Sequence, residues 1–188
     1  MKIGLFFGSF NPVHVGHLII ANVVQDRTDL DEIWFIVSPQ NPFKKQKSLL
    51  HEFDRLKMVE LAIADHFYFR VSDVEFHMPR PSYTIDTLTY LSEKHPNHQF
   101  RLILGGDNLK HFHKWKNFEV ILEQYGVYVY PRPGEQPDLK HPNISFVEAP
   151  LMDISATFIR DSIRKGHSVR YLIPQSVEDY VKDKKLFL

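Results

Sequence analysis

Short, unbroken apolar runs alternate along this chain with longer stretches whose apolar residues recur every three or four positions. Ile3–Phe7 is a run of the first kind, ended by Gly8-Ser9. Ile33–Val37 is a second, ended by Ser38-Pro39, and Phe100–Leu104 is a third, ended by Gly105-Gly106-Asp107. Tyr68–Val71 is weaker, and Val127–Tyr130 and Ile144–Val147 follow later. Runs of this length between turn residues predict strands buried on both faces. Helical spacing fills the intervals, over His17–Gln25, Glu52–Asp65, Thr84–Lys94, Phe118–Gln124, Ser155–Lys165 and Gln175–Lys184. Ser82 or Thr84 is a candidate cap for the third helix, Gly166 a stop for the fifth, and Pro174 leads into the sixth. The alternation predicts an α/β fold with a doubly wound, mostly parallel sheet. Residues 1–188 read as one domain with a small C-terminal helical part from about residue 150. In such sheets ligands bind beyond the carboxyl ends of the strands. The turns after Phe7 and Leu104, and the loop after Val37, all fall there.

Composition narrows the chemistry. The 23 acidic and 23 basic residues cancel, so no global field draws the chain to nucleic acid or to an anionic membrane. Phosphate must be held by a local site. Cysteine is absent, which excludes disulfides and thiolate metal sites and fits a cytoplasmic location. Leu18–Val24 is too short an apolar stretch to span a bilayer, and the start does not read as a signal peptide. The sequence does not fix the oligomeric state; a homo-oligomer is compatible with it.

The candidate chemistry starts at the first strand's end. Gly8-Ser9 joins a strand to a helix, and backbone N–H groups at such a helix start bind phosphate. His14 and His17, three apart, share a face in a helical turn, and two imidazoles can donate to phosphate oxygens as charge develops. Gly16 between them leaves room for a bulky ligand. Two surface histidines beside a glycine turn is the plainer alternative. A zinc site needs a third ligand, which no residue nearby supplies. The glycine spacing matches neither the dinucleotide fingerprint nor the P-loop.

Gly8-Ser9-Phe10-Asn11-Pro12 followed by His14-x-Gly16-His17 resembles the nucleotidylyltransferase superfamily, and within it the bacterial nicotinate mononucleotide adenylyltransferases. Four further segments resemble that family in order: Ser38–Lys44, Pro81–Leu88, Gly105-Gly106-Asp107 with Trp115 downstream, and Ile154–Arg160. The chain departs from the family's usual pattern at Phe7, where glycine is common, and at Asn11, where aspartate is common. Asn11 removes a carboxylate, so no metal ligand is assigned there.

The resemblance implies a Rossmann-like fold and transfer of AMP from ATP to a mononucleotide, with Mg²⁺ carried mainly on the ATP phosphates. His14, His17, Lys44 and Arg160 are the implied catalytic residues. Gly8, Ser9, Phe10, Gly16, Gly105, Asp107, Ser155 and Thr157 are implied in ATP binding. Asn11, Lys44, Ser82, Tyr83, Thr84, Trp115 and Arg132 are implied in mononucleotide binding. Several of these have plainer readings. Ser155 to Arg160 is also an ordinary capped helix start, Asp107 a helix N-cap, and Trp115 a core residue. Lys44 shares its loop with Lys45 and Lys47, which read as surface. A helix start at Ser82–Thr84 suits a carboxylate, which favours nicotinate over nicotinamide as the acceptor's ring. Nicotinamide mononucleotide, phosphopantetheine, and a non-catalytic nucleotide sensor on the same fold are the competing readings.

Overall fold

The computed structural model describes residues 1–39, 49–130, 141–150 and 152–188. Six strands form its sheet: β1 Lys2–Gly8, β2 Glu32–Val37, β3 Phe69–Ser72, β4 Gln99–Gly105, β5 Val127–Tyr130 and β6 Ile144–Phe146. Their order across the sheet is β3-β2-β1-β4-β5-β6. Each neighbouring pair is parallel, so the expected "mostly parallel" sharpens to wholly parallel among the described residues. The chain winds outward from β1 to β3, then returns to β1's other side with β4. The β1/β4 boundary is therefore the switch point, where a crevice opens at the carboxyl ends.

The continuous apolar strands resolve into two faces. Along β1, Ile3 and Leu5 enter one core cluster with Leu102, Leu104 and Leu88, whereas Phe6 enters the other with Phe35, Val24 and Met58. Strand period 2 thus sends neighbouring apolar residues to opposite sides. The long helices cover both faces: α1 Val15–Arg27, α2 Glu52–Ile63, α3 Thr84–Lys94, α6 Ala156–Arg164 and α7 Gln175–Asp183. Two shorter ones, α4 Gly106–Leu109 and α5 Phe118–Val120, lie between β4 and β5. The C-terminal α6 and α7 pack into the Phe6 cluster through Ile159, Val177 and Val181.

Some local expectations change. The helix expected over Phe118–Gln124 is one α turn followed by a wide π turn, Ile121–Tyr125, ended by Gly126 at φ 71°. Neither Ser82 nor Thr84 caps α3; Tyr83 holds the cap position and makes no side-chain cap bond. Asp107 is not an N-cap either, since Gly105 holds that position on α4. Ser155 does cap α6, accepting from the Phe158 N–H at 3.2 Å. No helix among the described residues is long and apolar enough to cross a membrane.

Candidate active site

At the carboxyl end of β1 the chain turns through Gly8–Pro12 before α1. Phe10 adopts φ 45°, and its ring is buried against Phe6, Phe35 and His17. A Cβ on Gly8 would lie 2.7 Å from Phe10 Cζ. Gly8 is therefore required for the seating of Phe10, quite apart from any ligand. The Phe10 side chain belongs to the core, and only its backbone is placed to meet a ligand.

His14 occupies the N-cap of α1 in extended backbone, and its ring stacks on His17 with centroids 3.7 Å apart. The His14 backbone N–H donates to His17 Nδ1 at 3.2 Å. In neutral His17 that bond places the ring proton on Nε2, which becomes a donor. Gly16 is shaped by this pair: a Cβ there would stand 3.1 Å from His14 Nδ1. The room it leaves is filled by the His14 ring.

Arg160 reaches this turn from α6. Its guanidinium donates to the Asn11 carbonyl at 2.8 Å and to Thr157 Oγ1 at 3.2 Å. Its buried Nε has no hydrogen-bond partner among the described residues. Burial, and then the neighbouring Arg164, lower its pKa from the ordinary value. Asn11 is itself buried, with its side chain accepting from the Leu50 N–H at 3.3 Å. Histidines, arginine and the Gly8–Asn11 turn thus form one cluster.

An open pocket, part of it continuous with solvent, lies at the carboxyl ends of β1 and β4. Gly8 and Ser9 line it from β1's end, Gly105 from β4's end, and Ser82, Tyr83, Thr84 and Trp115 from the far wall. Segments distant in sequence therefore meet at the switch point. Phe7, the departure from the family pattern, faces the same pocket. Trp115 is half-buried: it packs on Phe112, with centroids 5.3 Å apart, and it lines the pocket. Asp107 lies beside this wall without lining it; a Cβ on Gly105 would fall 2.5 Å from its Oδ1. Ser155 and Thr157 are exposed at the start of α6. Lys44 and Arg132 lie outside the described residues, as do Lys45 and Lys47.

Sequence reasoning missed four groups. Lys116 lines the pocket, pairs with Asp86 at 2.8 Å and sits 4.9 Å above the Tyr83 ring. Tyr130 closes the pocket from β5, edge-on to Phe6. Glu75 is a buried carboxyl group in the pocket wall, hydrogen-bonded to Thr87. No pattern in its short segment marks it. Arg55 did leave a signal. It stands in the buried stripe of α2 with Met58, Val59 and Ala62, a charge where the spacing calls for an apolar residue.

The fold and this site define a class. A family model described as cytidylyltransferase-like matches residues 5–162, and the chain belongs to that family of nucleotide-binding α/β proteins. A probable nicotinate-nucleotide adenylyltransferase of Cytophaga hutchinsonii is 57% identical, covering 100% of this chain and 98% of its own. That of Flavobacterium johnsoniae is 53% identical, with 96% of each chain covered. Within the cytidylyltransferase-like class, the chain belongs to the nicotinate-nucleotide adenylyltransferases. The solved structure of the Plasmodium falciparum nicotinic acid mononucleotide adenylyltransferase complexed with NaAD superposes with a TM-score of 0.83. It covers 99% of this chain and 97% of its own at 20% identity, a likeness of fold.

Proposed function

We propose that this protein transfers AMP from ATP to nicotinate mononucleotide, releasing pyrophosphate and forming nicotinate adenine dinucleotide, a precursor of NAD. One observation carries the reading. The His14–His17–Arg160 cluster and the pocket walled by Ser82–Thr84 and Trp115 flank the same Gly8–Ser9 turn. The relatives at 57% and 53% identity, named for this activity, support it.

A phosphate oxygen of the mononucleotide attacks the α-phosphorus of ATP. A new P–O bond forms as the bond to the β-phosphate bridging oxygen breaks, and the electron pair leaves with pyrophosphate. Phosphate is already nucleophilic at neutral pH, so positioning and charge stabilisation are the protein's task. His17 Nε2–H donates to an α-phosphate oxygen, and stacked His14 holds that ring in place. Arg160, fixed by the Asn11 carbonyl and Thr157, receives the leaving phosphates. Lys44 screens the repulsion between the two substrates, and Arg132 and Asp107 meet nucleotide phosphate and ribose.

At the start of α3 the Asp86 N–H already donates to the Tyr83 carbonyl, while the Thr84 and Ile85 N–H groups precede the first intrahelical bond and meet no side-chain cap. They suit the ring carboxylate, with Trp115 stacking on the pyridine. Mg²⁺ travels with the ATP phosphates and neutralises their charge. The described residues form no group of three or more His, Cys, Asp or Glu side chains able to hold it. The reaction is read as cytoplasmic.

The test is pyrophosphate release from ATP and Mg²⁺ with nicotinate mononucleotide, nicotinamide mononucleotide and phosphopantetheine in parallel. Turnover is expected with the first. No turnover with any of the three sinks the enzyme reading, and preference for the amide sinks the substrate assignment. His17→Ala should lower kcat by about 100-fold or more with the fold intact; activity near wild type contradicts its role.

A further inference from the structure

Glu75 sits in a 3-10 turn, Val74–His77, between β3 and α3. It is 2% exposed, yet its small open surface faces the pocket. Three hydroxyls converge on its carboxyl group. Thr87 donates from α3 at 2.8 Å, Ser38 reaches it from the end of β2, and Ser82 from the pocket wall. A buried hydrogen-bonded network rigidifies what it joins. Here it joins the Ser82–Thr84 wall to β2 and to the body of α3. The reaction needs no general base, so this acid has no chemical task in it.

We propose that Glu75 is the positioning residue of the ring subsite, tying Ser82 to Ser38 and Thr87 and so setting where the first turn of α3 meets the ring substituent of the mononucleotide. It acts through Ser82 and is not among the residues assigned to the reacting phosphates. All three partners are hydroxyls, and burial pushes the carboxyl pKa up. The site uses the group as a hydrogen-bonding hub.

The proposal rests on nicotinate mononucleotide being the acceptor. Wild type, Glu75→Ala, Glu75→Gln and Thr87→Val are compared in steady-state kinetics, with each substrate varied in turn. Glu75→Ala should raise KM for nicotinate mononucleotide about tenfold or more, with KM for ATP within about twofold. Glu75→Gln, neutral and of the same shape, should restore KM to within about threefold of wild type. Thr87→Val removes one hydroxyl from the hub without lining the pocket, and should raise the same KM about threefold. If Glu75→Ala does not fold, the Thr87→Val and Glu75→Gln results decide. An unchanged mononucleotide KM in Glu75→Ala or Thr87→Val, an equal rise for ATP, or a Gln variant as impaired as Ala each overturns the proposal. Wild type without turnover on nicotinate mononucleotide overturns both the substrate assignment and this proposal. Wild-type turnover with an unaffected Ala variant overturns this proposal alone.

Discussion

Replacing Arg55 with Met removes a buried cation while filling most of its volume. Arg55 is 0% exposed and binds four backbone carbonyls: Leu50 at 3.0 Å, Ser9 at 2.7 Å, Ser38 at 2.7 Å and Pro39 at 3.1 Å. Ser9 lies in the turn after β1, Ser38 and Pro39 follow β2, and Leu50 leads into α2. One side chain thus ties together the loops after both strands. Four charge-assisted bonds at about 1.5 kcal/mol each give about 6 kcal/mol. Against this stands desolvation, which is also what pushes the guanidinium pKa down to about 10. Its removal recovers roughly 3 kcal/mol, leaving a net loss of about 3 kcal/mol. At about 2–4 °C per kcal/mol for a chain of this size, the melting temperature should fall by roughly 6–12 °C. Because Ser9 and Ser38 both line the pocket, kcat/KM measured well below the melting range should also fall, by about tenfold. Arg55→Lys should recover only part of either loss, since one ammonium cannot span carbonyls from three segments. Calorimetry and the pyrophosphate assay read both effects. A Met variant melting within about 2 °C of wild type would refute the reasoning.

Gly8→Ala should cost about 1–3 kcal/mol in urea unfolding, because the new Cβ meets Phe10 at 2.7 Å and that ring is already packed on three others; an unchanged midpoint would mean the ring moves aside freely. Tyr180 of α7 donates to Asp54 of α2 at 2.8 Å, and burial, then that bond, push its pKa up to about 12. The folded state therefore keeps a proton that the unfolded chain loses near pH 10, so this contribution to stability is full below pH 10 and lost as pH rises towards 12. Tyr180→Phe should remove that part of the alkaline destabilisation, which melts between pH 9 and 12 will register; a variant with the wild-type slope argues against the linkage.

The sequence by itself determined the strands and the long helices, because burial on both faces of a parallel sheet demands continuous apolar runs and half-buried helices demand a 3.6-residue period. It also determined which residue types stand at the carboxyl ends of β1 and β4, where glycine turns and the two histidines are local features. It placed Trp115 and Ser82–Thr84 as candidates without saying that they face one pocket. That was decided by the strand order, which brings β4 beside β1 and leaves a crevice between their ends. Local patterns also mislead where tertiary contacts take over. Gly16 reads as space for a ligand, but its missing Cβ accommodates the His14 ring, and Phe10 reads as part of a phosphate loop while its ring fills the core. Arg55 was half legible, a charge in an apolar stripe, but its four carbonyl partners come from segments up to 46 residues away. Glu75 left no trace, because a buried acid is recognisable only by the hydroxyls that satisfy it, and Ser38, Ser82 and Thr87 converge only once the sheet has formed.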